Sequence, residues 1–122
     1  MVELQKLMND VAKWSDETFG KGNRTKGILR HLQEEIDEVI EEVDKSNALG
    51  VDNSVGVGEF GRQVERTQME FADCFMLLID AAAHYGITAE ELLRVTRKKL
   101  EINKNRDWDE MNEDGFCNHI PD

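Results

Sequence analysis

Apolar residues recur every three or four positions through most of the chain, the spacing of one buried face on an α-helix. Leu4, Leu7, Met8, Val11 and Trp14 predict a first helix from about Val2 to Thr18, closed by Gly20. After the loop GKGNRTKG, the residues Ile28, Leu32, Ile36, Val39 and Val43 predict a second helix from about Lys26 to Asn47. The stretch GVDNSVGVGEFG then holds four glycines and reads as a flexible connection at about residues 50–61. A third helix is expected from near Arg62 to Tyr85, with Gly86 as its C-cap. Thr88-x-x-Glu91 reads as a capping box that opens a fourth helix, carrying Leu92, Leu93, Val95 and Leu100 to about Asn105. The one proline, Pro121, leaves long helices unbroken up to residue 120. From Asp107 the chain turns polar yet keeps Trp108, Met111, Phe116 and Ile120, which predicts a C-terminal strap over about 107–122 laid on the body.

No alternating strand pattern competes, so the expected fold class is all-α: one domain over residues 1–122, an antiparallel four-helix bundle. A length of 122 residues fits one core and leaves little room for a second. Charge narrows the partners. With 26 acids against 15 bases the net charge is −11, so neither nucleic acid nor an anionic membrane surface is an expected partner. FMLLI and AAA, on either side of Asp80, fall far short of a membrane span. The opening MVELQKLMND lacks a basic stretch followed by an apolar one, and a cytoplasmic location is expected. Cys74 and Cys117 read as reduced thiols rather than a disulfide framework. What so acidic a chain can hold is a metal cation, provided several carboxylates converge.

Such a convergence is visible in HLQEEIDEVIEE, residues 31–42. At about 100° per residue, Glu35, Glu38 and Glu42 share one side of the second helix, with Glu34 at its edge and Ile28 and Val39 close by. Like charges at this spacing repel, and carboxylates beside a core need something positive to compensate them. Taken alone, the segment fits a solvated acidic face equally well. Glu70-Phe-Ala-Asp73 adds two more carboxylates one turn apart, inside the run Phe71, Ala72, Phe75, Met76, Leu77, Leu78 and Ile79, which is expected to be largely buried. If helices two and three pack antiparallel, Glu35 and Glu38 face Glu70 and Asp73. Four hard oxygen donors then form a cage suited to Mg²⁺ or Mn²⁺, with positions left for water and phosphate oxygens. Pairing of Glu70 and Asp73 with Arg62 or Arg66 is the structural alternative.

Glu34-Glu35-x-x-Glu38 followed by Glu70-x-x-Asp73 resembles the EExxE…ExxD signature of the MazG-like all-α nucleoside triphosphate pyrophosphohydrolases. Lys99-x-x-x-Asn103-x-x-Arg106 is similar to the phosphate-contacting end of that family's last helix. Trp14, Phe19-Gly20, His31-Leu32 and the stretch from Leu100 to Trp108 look most like its small dATP/dGTP branch, which includes phage proteins of the MazZ type. The glycine-rich stretch separates Glu38 from Glu70 more widely than is usual there. The resemblance implies a cut between the α- and β-phosphates of a nucleoside triphosphate, giving the monophosphate and pyrophosphate. It implies two or more metal ions, with Glu35, Glu38, Glu70 and Asp73 as ligands and Glu34 to orient or deprotonate the attacking water. Lys99, Asn103 and Arg106 would hold the phosphate tail. The host cytoplasm would be the location of a phage-encoded form.

For the base, Trp14 and Phe19 can stack on a purine and Asn23 can read its edge, although each is also an ordinary core or loop residue. His31, one turn before Glu35, is a candidate contact to metal or nucleotide, or simply a cap. The basic cluster Lys21, Arg24, Lys26 and Arg30 can assist at phosphate or balance a helix end. Asp80 and His84 read as interhelical hydrogen-bonding groups. Two other classes remain: a carboxylate-bridged di-metal bundle, which lacks its Glu-x-x-His motifs here, and a non-catalytic acidic interaction protein. The third helix is apolar around most of its circumference and needs covering on all sides, so a homodimer or tetramer is expected, as the resemblance also implies.

Overall fold

The computed structural model describes residues 2–51 and 56–121 and holds four helices: α1 (Val2–Phe19), α2 (Thr25–Val51), α3 (Val57–Tyr85) and α4 (Ala89–Lys104). The all-α arrangement with helix-on-helix packing is as the periodicity requires. No helix among the described residues is long and apolar enough to cross a membrane. The ends differ at one place. α2 continues to Val51 and α3 opens at Val57 rather than near Arg62, so Gly58 and Gly61 lie inside a helix. Each helical glycine costs about 1 kcal/mol relative to alanine, a local penalty that extension of an established helix can absorb. Phe60 N–H donates to Gly56 O at 3.1 Å within the first turn. Residues 52–55, the middle of the expected flexible connection, lie outside the described residues.

The chain divides into two compact units, Met1–Thr88 and Ala89–Asp122. In the first, α2 and α3 pack along each other and α1 packs on α3. The α2–α3 pairing is antiparallel: Gly50 lies against Phe60, Glu42 against Gln63 and Glu38 near Glu70. Gln63 Nε2 donates to the Glu42 carboxylate, and Ser46 and Thr67 share a hydroxyl hydrogen bond of 2.9 Å. Thr67 Oγ1 also donates to Gln63 O at 2.9 Å. Gln63, Thr67, Ser15 and Asp80 are buried together with Met8, Val11, Ile28, Val39, Ile79 and Ala81. The core is therefore part polar, and its polar members are hydrogen-bonded or charge-paired.

Arg24 ties the other end. Its carbonyl accepts the first α2 bond, from Ile28 N–H at 2.9 Å, which makes it the N-cap residue, a place that usually takes a short polar side chain. Its guanidinium instead turns back to α1, donating to Gly20 O, to Ser15 Oγ at 2.9 Å and to Asp16 Oδ1 at 2.9 Å. Asp16 Oδ1 also lies 2.8 Å from His84 Nε2 on α3. The loop can reverse this tightly because Gly20 and Gly22 take φ of 103° and 117°, open only to glycine at little cost. Gly86, at φ 100°, ends α3 with Gly86 N–H on Ala83 O and Ile87 N–H on Ala82 O.

In the second unit, α4 leads into an irregular hairpin. Trp108 and His119 form an antiparallel bridge, and Asn112 Oδ1 accepts from the N–H groups of Asp114 and Phe116. Trp108 Nε1 donates to Asn103 O at 2.9 Å. The expected burial around Phe71 is corrected by the structure: Phe71 is 58% exposed and Phe75 47%. They lie, with Leu78, on a stripe of α3 adjacent to the one occupied by Gln63, Thr67 and Asp80, and one helix face cannot serve both.

The Asp16–His84 pair makes the docking of α1 pH-dependent. Hydrogen bonds from His84 and Arg24 hold the Asp16 carboxyl below its ordinary 3.8, so its contribution is present above that value and is lost on acidification through the lowered one. Burial works against a charged His84, but its bonds to Asp16 and to Asp80 O, with both aspartate charges, hold the imidazole above 6.5. The His84 contribution is complete below 6.5 and is lost as pH rises through the raised value. The stability advantage of wild type over His84→Gln, measured by thermal unfolding, should therefore shrink from pH 6 to pH 9. An advantage independent of pH over that range contradicts the pairing.

Candidate functional site

The spacing of acids on α2 and α3 delivers what the antiparallel packing allows. One carboxylate oxygen each from Glu35, Glu38 and Glu70 lies within 4.8 Å of the others. Glu35 and Glu38 are one turn apart on α2 and share a hydrogen bond. That bond, then burial, then the Glu38 and Asp73 charges hold the Glu35 carboxyl above its usual range, against the opposing pull of His31. Burial and the charges of Asp73, Glu38 and Glu42 do the same to Glu70. Glu70 Oε2 is buried and accepts no hydrogen bond. A buried carboxylate oxygen without a donor, raised in pKa by its neighbours, is a site short of positive charge.

Asp73 stands outside that close group, although its charge reaches Glu35 and Glu70. Glu42 is engaged elsewhere. Its carboxylate takes Gln63 and Lys45 as donors, which lowers its pKa. Glu34, next to Glu35 on α2, is exposed. Cys74 is held protonated, first by burial and then by the surrounding carboxylates, so the donor set of the cluster is oxygen alone.

A cavity of about 560 Å³ opens beside the cluster, within the range of small-ligand sites. Glu35 and Asp73 form its wall at the cluster end. Trp14, Phe19, Asn23 and His31, the four candidates for base contact, all line it. Trp14 and Phe19 are 55% and 58% exposed, with ring centroids 5.5 Å apart in an edge-to-face arrangement, so their aromatic surfaces remain open to a ligand. His31 Nε2 sits 3.3 Å from Glu35 Oε1, i to i+4 on α2, and steadies that carboxylate at the junction of cavity and cluster.

Among the cavity residues, Ser15, Met76 and Asp80 were not site candidates in the sequence, whereas Arg24 was one, within the basic cluster. Asp80 had a signal, an acid interrupting FMLLI and AAA. Ser15 and Met76 had none, and Arg24 stood undistinguished in a basic cluster. Lys99, Asn103 and Arg106 belong to the second unit, where Asn103 Oδ1 is buried without a hydrogen bond and Arg106 lies just past the end of α4.

The family model of dATP/dGTP pyrophosphohydrolases matches residues 64–122. That segment contains Glu70, Asp73, Lys99, Asn103 and Arg106, with Glu35 and Glu38 upstream of it. Over these residues the chain is similar to that family of phosphoric-anhydride hydrolases. No curated protein and no solved structure gives a significant match.

If the cluster is a cation site, Mn²⁺ or Mg²⁺ should raise the melting temperature of the metal-stripped protein at neutral pH, because binding to the folded state alone stabilises it. Glu70→Gln should melt no lower than wild type without metal, since it removes a repelling charge, yet lose most of the metal-induced rise. Equal rises in both proteins would contradict the site.

Proposed function

We propose that the protein is a metal-dependent nucleoside triphosphate pyrophosphohydrolase acting on a purine deoxynucleotide, dGTP or dATP, and releasing the monophosphate and pyrophosphate. The observation that carries this reading is that Glu35 belongs both to the carboxylate cluster and to the wall of an aromatic-lined cavity. A triphosphate needs hard cations at one end and a stacking surface at the other, and the two are adjacent here. The match of residues 64–122 supports the same chemistry.

The residues fit a divalent cation: an all-oxygen donor set, a buried Glu70 oxygen without a donor, and pKa values raised for want of a positive charge. Glu35, Glu38 and Glu70 would hold it, with Asp73, one turn from Glu70, completing the set for a second ion. When bound, Mg²⁺ or Mn²⁺ supplies charge neutralisation of the triphosphate and a lowered pKa for coordinated water. Glu34, exposed and next to Glu35 on α2, would orient that water and take its proton. His31, with Nε2 3.3 Å from Glu35 Oε1, would steady that carboxylate. Trp14 and Phe19 offer ring faces to the base, and Asn23 offers both donor and acceptor at the mouth of the cavity. Lys99, Asn103 and Arg106, in the second unit, are proposed as phosphate contacts.

The exposed stripe of α3 fits an oligomer. Phe71 is 58% exposed, Phe75 47% and Leu78 47%, a stripe of large apolar side chains that a second subunit would cover. A homodimer, or a tetramer built from two, buries them.

Three outcomes are expected. Glu38→Gln should keep the circular dichroism spectrum and cut turnover by 100-fold or more, since one lost metal ligand removes several kcal/mol of transition-state stabilisation; a folded variant within a few-fold of wild type contradicts the assignment. Chromatography of the products should show monophosphate and pyrophosphate, whereas diphosphate and orthophosphate would move the attack to another phosphorus. Light scattering at micromolar concentration should give a dimer or tetramer, and an active species of 14.0 kDa would remove the interface.

A further inference from the structure

We propose that His84 is a proton-operated latch on the mouth of the cavity, holding the end of α1 in place while both ring nitrogens are protonated and releasing it when one proton is lost. The device is built into the fold and goes beyond the reading of the cavity as a nucleotide site, since it works whatever the cavity holds.

Both ring nitrogens of His84 face oxygens. Nδ1 lies 2.9 Å from the backbone oxygen of Asp80 and 2.9 Å from Asp80 Oδ1, one turn back on α3. Nε2 lies 2.8 Å from Asp16 Oδ1 on α1. Only the imidazolium donates on both sides, and either neutral tautomer turns a lone pair on an oxygen, toward Asp80 or toward Asp16. Arg24, at the start of α2, is the third charged group that faces the ring, with Nη2 3.3 Å from Nε2. It cannot stand in for the missing proton, because the two hydrogens of Nη2 are engaged with Ser15 Oγ and Asp16 Oδ1, each at 2.9 Å.

The charges lead to the same result. Asp16 and Asp80 are balanced by Arg24 and a protonated His84. A neutral ring leaves one negative charge over, where the His84 and Asp80 side chains are 9% and 4% exposed. Burial opposes the charged ring, yet its bonds to Asp16 and Asp80 and the two carboxylate charges hold it protonated above 6.5. The latch is therefore shut below 6.5 and opens as pH rises through the raised value. Asp16 is the partner that yields. Asp80 shares α3 with His84 and stays beside it, whereas Asp16 is on another helix with its side chain 34% exposed, so it can turn to water. Trp14 and Phe19 stand two residues before and three after Asp16 on α1, and both line the cavity. Loss of the tie at Asp16 loosens the segment that carries the aromatic mouth.

Trp14 and Trp108 are the two tryptophans of the chain, so Trp108→Phe leaves Trp14 as the reporter. In that full-length background, Trp14 emission from pH 6 to pH 9 should shift in one step with a midpoint above 6.5, and acrylamide should quench it more readily on the alkaline side. His84→Gln should remove the step. Asp16→Asn should also remove it, by keeping the mouth in its low-pH state up to pH 9, because an amide can accept from the imidazolium and donate to the neutral ring. His31 lines the same cavity, and His31→Gln should leave the step in place. A flat signal over this range, in both the unsubstituted chain and the reporter background, would overturn the latch. So would a step that survives His84→Gln or Asp16→Asn, or one that disappears with His31→Gln. Pyrophosphate release from dGTP or dATP tests the proposed function separately and has no bearing on this signal.

Discussion

Like-charge repulsion between α2 and α3 is the constraint on which the rest of the molecule depends. Three carboxylates approach within 4.8 Å, and a fourth, Asp73, adds its field, in a place where Glu70 is partly withdrawn from water. Left alone, such a group is relieved only by taking up protons, and the upward shifts of Glu35 and Glu70 record that relief. A packing that merely sought stability would separate these side chains. The antiparallel pairing brings them together and holds them with contacts made elsewhere.

Those contacts lie on either side of the cluster. Toward one end, Glu42, Ser46, Gln63 and Thr67 form a closed hydrogen-bonded set that fixes the register of α2 against α3. Toward the other, Arg24, Asp16 and His84 tie α1 and the start of α2 to the end of α3. Both sets are balanced in charge or fully bonded, unlike the cluster between them. The cavity occupies the space that the second set frames, so its aromatic mouth and its buried aspartate are held by the same residues that dock α1. The candidate site and the fold share these side chains.

The helices and the carboxylate pattern were legible in the sequence because both follow from a period of 3.6. Trp14, Phe19, Asn23 and His31 were legible as candidates by type, and the structure gathers all four on one cavity. The start of α3 was not. Glycines at 56, 58 and 61 signal a loop locally, and the helix overrides that preference as it does wherever propagation outweighs intrinsic cost. Asp73 was grouped with its neighbours by spacing alone, which cannot tell a ligand in the close group from one a turn away. Arg24 was hidden for another reason. Its role at the N-cap depends on the reversal at Gly20 and Gly22, a tertiary feature that a linear count of basic residues does not contain. The exposure of Phe71 and Phe75 was likewise beyond the pattern, which marks a residue as apolar without saying which surface covers it.

The central claim is that the cluster is a cation site whose protons a metal displaces. Titration of Mn²⁺ into the metal-stripped protein at slightly acid pH, repeated in buffers of different ionisation enthalpy, counts those protons directly. The account predicts saturable binding with net proton release that falls toward zero as pH rises above the raised values of Glu35 and Glu70. Saturable binding without proton release at any pH, or no binding at all, would contradict it.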